Sequence, residues 1–165
     1  MRKIYHLILI KLIIMLFVFG WSHISWAAFY AQGGVGAGID SNRNVSVALG
    51  YQVDFLLKPR AEIEYLYTRV NYDAHKKDMN SVFINGYLTI PFPLIDPYVG
   101  VGLGHARLNH DDSPVGQAIL GLEYDFSLLP IAVGAEYRYL KLFDKTNGSK
   151  KFDDNVFLIK ARYEF

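Results

Sequence analysis

Phe157-Leu158-Ile159-Lys160-Ala161-Arg162-Tyr163-Glu164-Phe165 decides the fold. Odd positions read Phe, Ile, Ala, Tyr and Phe, while even positions from 160 onward read Lys, Arg and Glu. A β-strand sends alternate side chains to opposite faces, so this segment has one apolar, aromatic face and one charged face. Its aromatic side chains run to the last residue, with nothing after them to cover that face. A strand that meets hydrocarbon on one side and a polar interior on the other has this pattern.

The opposite end has the marks of an export leader. Met1-Arg2-Lys3 is basic, Leu7 to Phe19 is apolar apart from Lys11, and Ser25-Trp26-Ala27 places small residues at −3 and −1 of a cleavage site. Together these predict a signal peptide over residues 1–27, leaving 28–165 as one domain. Lys11 interrupts the apolar run, whose longest stretch falls short of the roughly 20 residues of a spanning helix.

Composition narrows the function. All 16 acidic residues remain after cleavage while Arg2, Lys3 and Lys11 leave, so 14 basic residues face 16 acidic ones and the net charge is −2. Such a balance gives no reason to expect nucleic-acid binding. With no cysteine, the chain has neither a disulfide framework nor thiolate chemistry. Both tryptophans, Trp21 and Trp26, lie in the leader.

Two-residue alternation dominates the rest. Val45, Val47, Leu49, Tyr51 and Val53 alternate with Ser46, Ala48, Gly50, Gln52 and Asp54. Ile131, Val133, Ala135, Tyr137 and Tyr139 alternate with Ala132, Gly134, Glu136, Arg138 and Leu140. Eight strands are predicted, near 29–39, 44–54, 60–70, 80–90, 97–108, 115–126, 131–142 and 155–165. Each is about long enough to cross a bilayer at a tilt, and eight is the smallest usual even count for a barrel.

The connections alternate between polar loops (40–43, 71–79, 109–114, 143–154) and compact proline-bearing turns near 55–59, 91–95 and 127–130. With both termini in the periplasm, the loops face outward from the cell and the turns inward. Gly50, Asp54, Phe55 and Pro59 recur 71 residues later as Gly121, Asp125, Phe126 and Pro130. Gly34-Val35-Gly36-Ala37-Gly38 recurs as Gly100-Val101-Gly102-Leu103-Gly104, so strands 1–3 echo strands 5–7.

Alternation alone does not say which face points inward, and a soluble lipocalin-like barrel would reverse the two. Three features oppose that. The glycine stripes share the polar phase, where a narrow interior needs room. Aromatic residues of the apolar phase gather towards both strand ends (Phe29, Tyr163 and Phe165; Tyr67, Tyr139 and Phe157), as interface girdles do. The third feature is the strand ending in Phe165. The expected fold is therefore all-β: an eight-stranded antiparallel up-and-down transmembrane β-barrel.

Phe29-Tyr30-Ala31-Gln32-Gly33-Gly34-Val35-Gly36-Ala37-Gly38 resembles the opening strand of the opacity-protein and OmpA-like outer-membrane β-barrel family. Asn85-Gly86-Tyr87 with Pro97-Tyr98-Val99-Gly100-Val101-Gly102-Leu103-Gly104 resembles that family's central hairpin. The resemblance implies a monomer in the bacterial outer membrane with a structural or surface-interaction role and no cofactor. Tyr163 and Phe165 resemble the terminal signal read by the barrel-assembly machinery. The outer loops are short beside those of long-looped relatives, and an extracellular partner is not identified. A narrow porin is the alternative, and a lipid-modifying enzyme the third reading.

Catalytic and metal residues are not expected. The chain lacks the His-x-Ser pair of outer-membrane lipid A deacylases and, before Phe29, the amphipathic helix of the palmitoyltransferases. His110-Asp111-Asp112-Ser113 holds triad residue types, but four consecutive loop residues do not converge as a triad. His75 and His110, with Asp73 or Asp111, lack tight metal-ligand spacing.

Inward charges are more coherent. Glu62, Glu64, Glu123, Glu136, Arg138, Lys160 and Arg162 share the lumen phase and are expected to interlock, with Arg162 and Glu136 as near cross-strand neighbours. Arg69, Arg107 and Lys141 share the outward phase near the loop end. They are expected to form a half-ring that meets lipopolysaccharide phosphates in the outer leaflet.

Overall fold

The computed structural model describes residues 27–39, 41–72, 75–108, 111–126, 128–143 and 153–165. The expected leader lies outside this set, except for Ala27, as do Asp73 and His110. Eight strands follow one another: β1 (Ala27–Gly38), β2 (Ser41–Val53), β3 (Pro59–Tyr72), β4 (His75–Thr89), β5 (Asp96–Leu108), β6 (Asp111–Asp125), β7 (Ile131–Leu142) and β8 (Asp153–Glu164). Each pairs antiparallel with its neighbour, and β8 closes on β1 from Tyr30↔Glu164 to Gly38↔Val156. Closure matters because an open edge would leave backbone donors and acceptors without partners in lipid.

The alternation becomes a burial pattern. β8 reads buried at Val156, Leu158, Lys160 and Arg162 and exposed at Phe157, Ile159, Ala161 and Tyr163. On the outer surface Ile84, Val101, Leu103 and Ile159 are each 69% exposed. A soluble barrel would bury these side chains; here the charged phase is inside and the aliphatic phase outside, which suits a lipid belt. Among the described residues no helix is long and apolar enough to cross a membrane; strands make the crossing.

Strand length sets the height. Twelve to fifteen residues tilted by about 40° rise roughly 30–38 Å, more than the ~25 Å apolar band of such barrels. The excess lies at the loop end, where the outward phase turns polar at Arg43, Arg69, Asp78, Arg107, Asp112 and Lys141. Just below, Tyr65 donates to Asn80 Oδ1 at 2.6 Å and Tyr137 to Asn155 Oδ1 at 2.5 Å. These rings are apolar below and hydrogen-bonded above, as a membrane boundary favours.

Inward-facing tyrosines lock neighbouring strands. Tyr30 lies opposite Gly50, Tyr98 opposite Gly121 and Tyr87 opposite Gly100. At each glycine an added Cβ would collide with the tyrosine ring. Glycine is needed here so that a ring can lie flat across the next strand.

Candidate functional site: a filled lumen and a charged rim

From the turn end upward, the lumen is built in layers. Arg162 Nη2 meets Glu123 at 2.9 Å, Asp125 at 3.1 Å and Glu164 at 3.0 Å, while Nη1 donates to Gln52 at 2.7 Å. Arg60 Nη1 contacts Glu123 at 3.1 Å, and its guanidinium lies 4.8 Å from the Tyr98 ring centre and 5.4 Å from that of Tyr87. Across the mouth Lys58 holds Asp96 at 3.2 Å.

The middle layer is a continuous network. Glu62 accepts hydrogen bonds from Tyr30 (3.1 Å), Tyr87 (2.5 Å) and Asn85 (2.9 Å). Arg138 forks onto Glu64, with Nη1 to Oε2 at 2.7 Å and Nη2 to Oε1 at 2.8 Å, and its Nε donates to Glu136. Lys160 reaches Glu136 at 3.0 Å and Tyr98 donates to it at 2.8 Å. Gln117 accepts from Arg138 at 3.1 Å and donates to Asn85 at 2.7 Å. Arg138, Glu64 and Glu136 have fully buried side chains, which is tolerable because each charge has both an opposite charge and further hydrogen bonds.

Above this network apolar side chains are interleaved with the buried polar residues Asn44, Ser46, Thr68, Ser81, Ser113 and Asp154. Leu66, Met79, Phe83, Ala106, Val115, Leu140, Val156 and Leu158 form one buried cluster towards the loop end. Side chains thus fill the barrel interior at two levels, interlocked charges below and a largely apolar cap above.

All seven lumen charges expected from sequence are buried in one polar assembly. One expected pairing is corrected. β7 and β8 register Ile131 with Tyr163, so Arg162 faces Ala132 and Glu136 faces Leu158. Arg162 and Glu136 therefore stand four residues apart along the strand, about 13 Å, and each takes other partners. Sequence reading also missed Arg60, the three tyrosines and the cap. The signals were present: Arg60 shares the phase of Glu62 and Glu64, and Leu66 and Leu140 occupy the otherwise polar phase.

At the rim, each expected cation faces an aspartate across its own hairpin: Arg69↔Asp78, Arg107↔Asp112 and Lys141↔Asp153. Arg69 Nε is 3.1 Å from Asp78 and its Nη2 2.8 Å from the Tyr67 hydroxyl. Arg107 binds Asp112 in a fork, at 2.7 and 3.1 Å. Hydrogen bonds from Tyr67 and then Arg69 hold the Asp78 carboxyl below its ordinary range, and Arg107 does the same for Asp112. A fourth cation, Arg43, is registered with Arg69 and was not singled out from sequence. Tyr163 and Phe165 face outward at the turn end, with ring centres 6.1 Å apart, and Phe165 N donates to Phe29 O at 3.0 Å.

A family model for the outer membrane protein beta-barrel domain matches residues 14–165. No curated protein matches significantly. Among solved structures the chain is similar to Neisserial surface protein A, with a TM-score of 0.64 and 18% identity, over 86% of this chain and 100% of that one. It is similar also to the outer membrane enzyme PagL, at 0.57 and 13%, over 81% and 98%. The attachment invasion locus protein Ail of Yersinia pestis, solved with the heparin analogue sucrose octasulfate, matches at 0.55 and 13%, over 84% and 98%. At these identities the structures establish a shared barrel fold.

Proposed function

The chain belongs to the outer membrane protein beta-barrel family, and from that premise we propose a non-conducting, non-catalytic barrel whose loop-end rim serves as its contact surface. It resides in the bacterial outer membrane, with the turn end towards the periplasm. The observation that carries the reading is the fork of Arg138 on Glu64, fully buried across the lumen beneath the apolar cap. An eight-stranded barrel is just wide enough for side chains to fill, and here they do.

Planar-bilayer recording tests this against the narrow-porin reading: no steady conductance is expected, and ohmic steps from purified protein would overturn it. Because PagL shares the fold and is an enzyme, mass spectrometry of lipid A with and without the protein tests the catalytic alternative. Unchanged lipid A is expected.

The rim supports contact with phosphorylated lipid of the outer leaflet. Arg43 and Arg69 are registered across β2 and β3, and two neighbouring arginines suit a doubly charged phosphate that takes the place of Asp78 on Arg69. Arg107 and Lys141 extend the set around the barrel. A likeness in fold to Ail, which was crystallised with a polysulfated sugar, is in keeping with an anionic ligand. Replacing Arg43, Arg69, Arg107 and Lys141 by Gln should lower thermal stability in membranes containing lipopolysaccharide and leave it unchanged in neutral detergent. Equal losses in both media would refute the contact. Tyr163 and Phe165 are proposed as the assembly signal; replacing both by Ser should slow insertion by the barrel-assembly machinery in vivo more than spontaneous refolding in vitro.

A further inference from the structure

The two ends of the barrel are finished differently. At the loop end the outward phase closes in charges on β2 to β6 and on β8, while Ile39 and Phe143 end it apolar on β1 and β7. At the turn end, among the described residues, it does not close in charges: Phe55, Phe92 and Phe126 continue the lipid-facing stripes beyond the strands. Each turn then places a leucine at its apex, Leu56 at 77% exposure, Leu94 at 75% and Leu128 at 95%. The charges of this end lie in the inward phase or across the mouth, where Lys58 joins Asp96 and Arg162 joins Asp125 and Glu164. Three leucine apexes facing water would be an unusual exposed apolar surface.

The turn backbones are also prepared for a medium poor in water. Lys58 N donates to Phe55 O, Ile90 N to Pro97 O, Phe126 N to Ile131 O and Leu129 N to Phe126 O. Phe92 N donates to the Asp96 side chain at 2.9 Å. Pro59, Pro91, Pro93 and Pro130 have no N–H to satisfy. A segment entering lipid must meet its backbone needs internally, and these turns go far towards that.

We propose that the three turns are immersed in the inner leaflet of the outer membrane, with Leu56, Leu94 and Leu128 seated at the boundary between phospholipid headgroups and acyl chains. The partner is the phospholipid surface itself, continuous with the lipid belt above it. The apexes have no outward cation, so the contact is apolar and insensitive to salt and to anionic lipid. This rests on the turn end facing the periplasm in a membrane-spanning barrel.

Residues 28–165, refolded without the expected leader and its Trp21 and Trp26, contain no tryptophan, so single reporters are unambiguous. Leu56→Trp, Leu94→Trp and Leu128→Trp are each refolded into vesicles of zwitterionic phospholipid, with Val101→Trp as the mid-belt reference. Emission is read with spin labels at shallow and deep acyl positions and with aqueous acrylamide. Turn reporters should emit to the blue of free indole, be quenched most by the shallow label, and be several-fold less sensitive to acrylamide than free indole, unchanged by high salt. Val101→Trp should be quenched most by the deep label; failure there would strike at the barrel reading itself. With that reference behaving, water-like emission and free acrylamide access at the turns would overturn the proposal. A blue shift in native outer membranes but not in pure phospholipid would overturn it too, and would assign the leucines to a protein partner.

Discussion

Glu64 and Arg138 occupy equivalent places in the two halves of the barrel and pair with each other across its lumen. Gly50 is registered with Tyr30 on one side and Glu62 on the other; Gly121 is registered with Tyr98 and Glu136. Tyr30 donates to Glu62 and Tyr98 to Glu136. One inward step beyond these glutamates lie Glu64 and Arg138, and one further step Leu66 and Leu140, both in the cap. The halves thus share a frame and differ in charge at the position where they meet. A symmetric pair of glutamates there would repel; the exchange to arginine turns the meeting point into a bond.

Breaking that bond on one side leaves a buried charge unpaired. Arg138→Gln is expected to lower stability by about 3–5 kcal/mol, read as a shift of the urea midpoint for unfolding in vesicles. Glu64→Arg combined with Arg138→Glu should recover part of that loss. Recovery stays incomplete because a glutamate at 138 would sit beside Glu136. Additive damage in the double variant would deny the pairing.

The tyrosine–glycine joints give a second expectation. Gly121→Ala pushes a Cβ into the Tyr98 ring and should cost about 1–3 kcal/mol, as overpacking does. Adding Tyr98→Ala removes the clash, so the double variant should lose less than the two single losses summed. Strict additivity, measured by the same urea titration, would mean that the ring can move aside freely.

How much of this was legible beforehand follows from what alternation encodes. It marks which side chains share a face, and the eight strands, the inward charges and the lipid belt all follow from that. It weakens where both faces are polar: β2 begins at Ser41 and β6 at Asp111, each several residues before its apolar stripe. It also says nothing of register. Glycine spacing aligned Gly34 with Gly100, whereas the Tyr30–Gly50 and Tyr98–Gly121 joints align Gly34 with Gly102. Arg162 and Glu136 were likewise expected to meet and do not.

Register therefore changes which charge reversal should rescue Arg162. Arg162→Glu places a carboxylate among Glu123, Asp125 and Glu164 and is expected to destabilise by a few kcal/mol. Glu123→Arg should restore part of the loss, while Glu136→Arg should add to it by stripping Arg138 and Lys160 of a shared partner. Rescue by Glu136→Arg instead would contradict the strand pairing of β7 and β8.

Acid should loosen the rim selectively. Asp112 lies below its ordinary value of 3.8, chiefly through its hydrogen bond from Arg107. A depressed carboxylate contributes stability that is complete above the unfolded value and is lost as pH falls through the folded one. Carboxyl NMR of Asp112 should therefore give a midpoint below 3.8, returning towards it in Arg107→Gln. An unshifted midpoint in the parent protein would show that the fork is not held in solution.

Conduction, finally, should require two injuries. In a non-conducting barrel the apolar cluster above Arg138 and the charge network below it should each suffice as a seal. Leu66→Ala with Phe83→Ala hollows the cap; each truncation costs several kcal/mol, and the barrel has to remain closed for the recording to be meaningful, which its heat-modifiable gel mobility reports. This variant is expected to stay silent in planar bilayers, because Glu64, Arg138, Glu136 and Lys160 still interlock beneath the cavity. Glu64→Ala with Arg138→Ala opens the network but leaves the cap, and should be silent too. Only the four-residue combination should pass ions. Steps from the cap variant alone would make the apolar cluster the true seal and reduce the charge network to a scaffold.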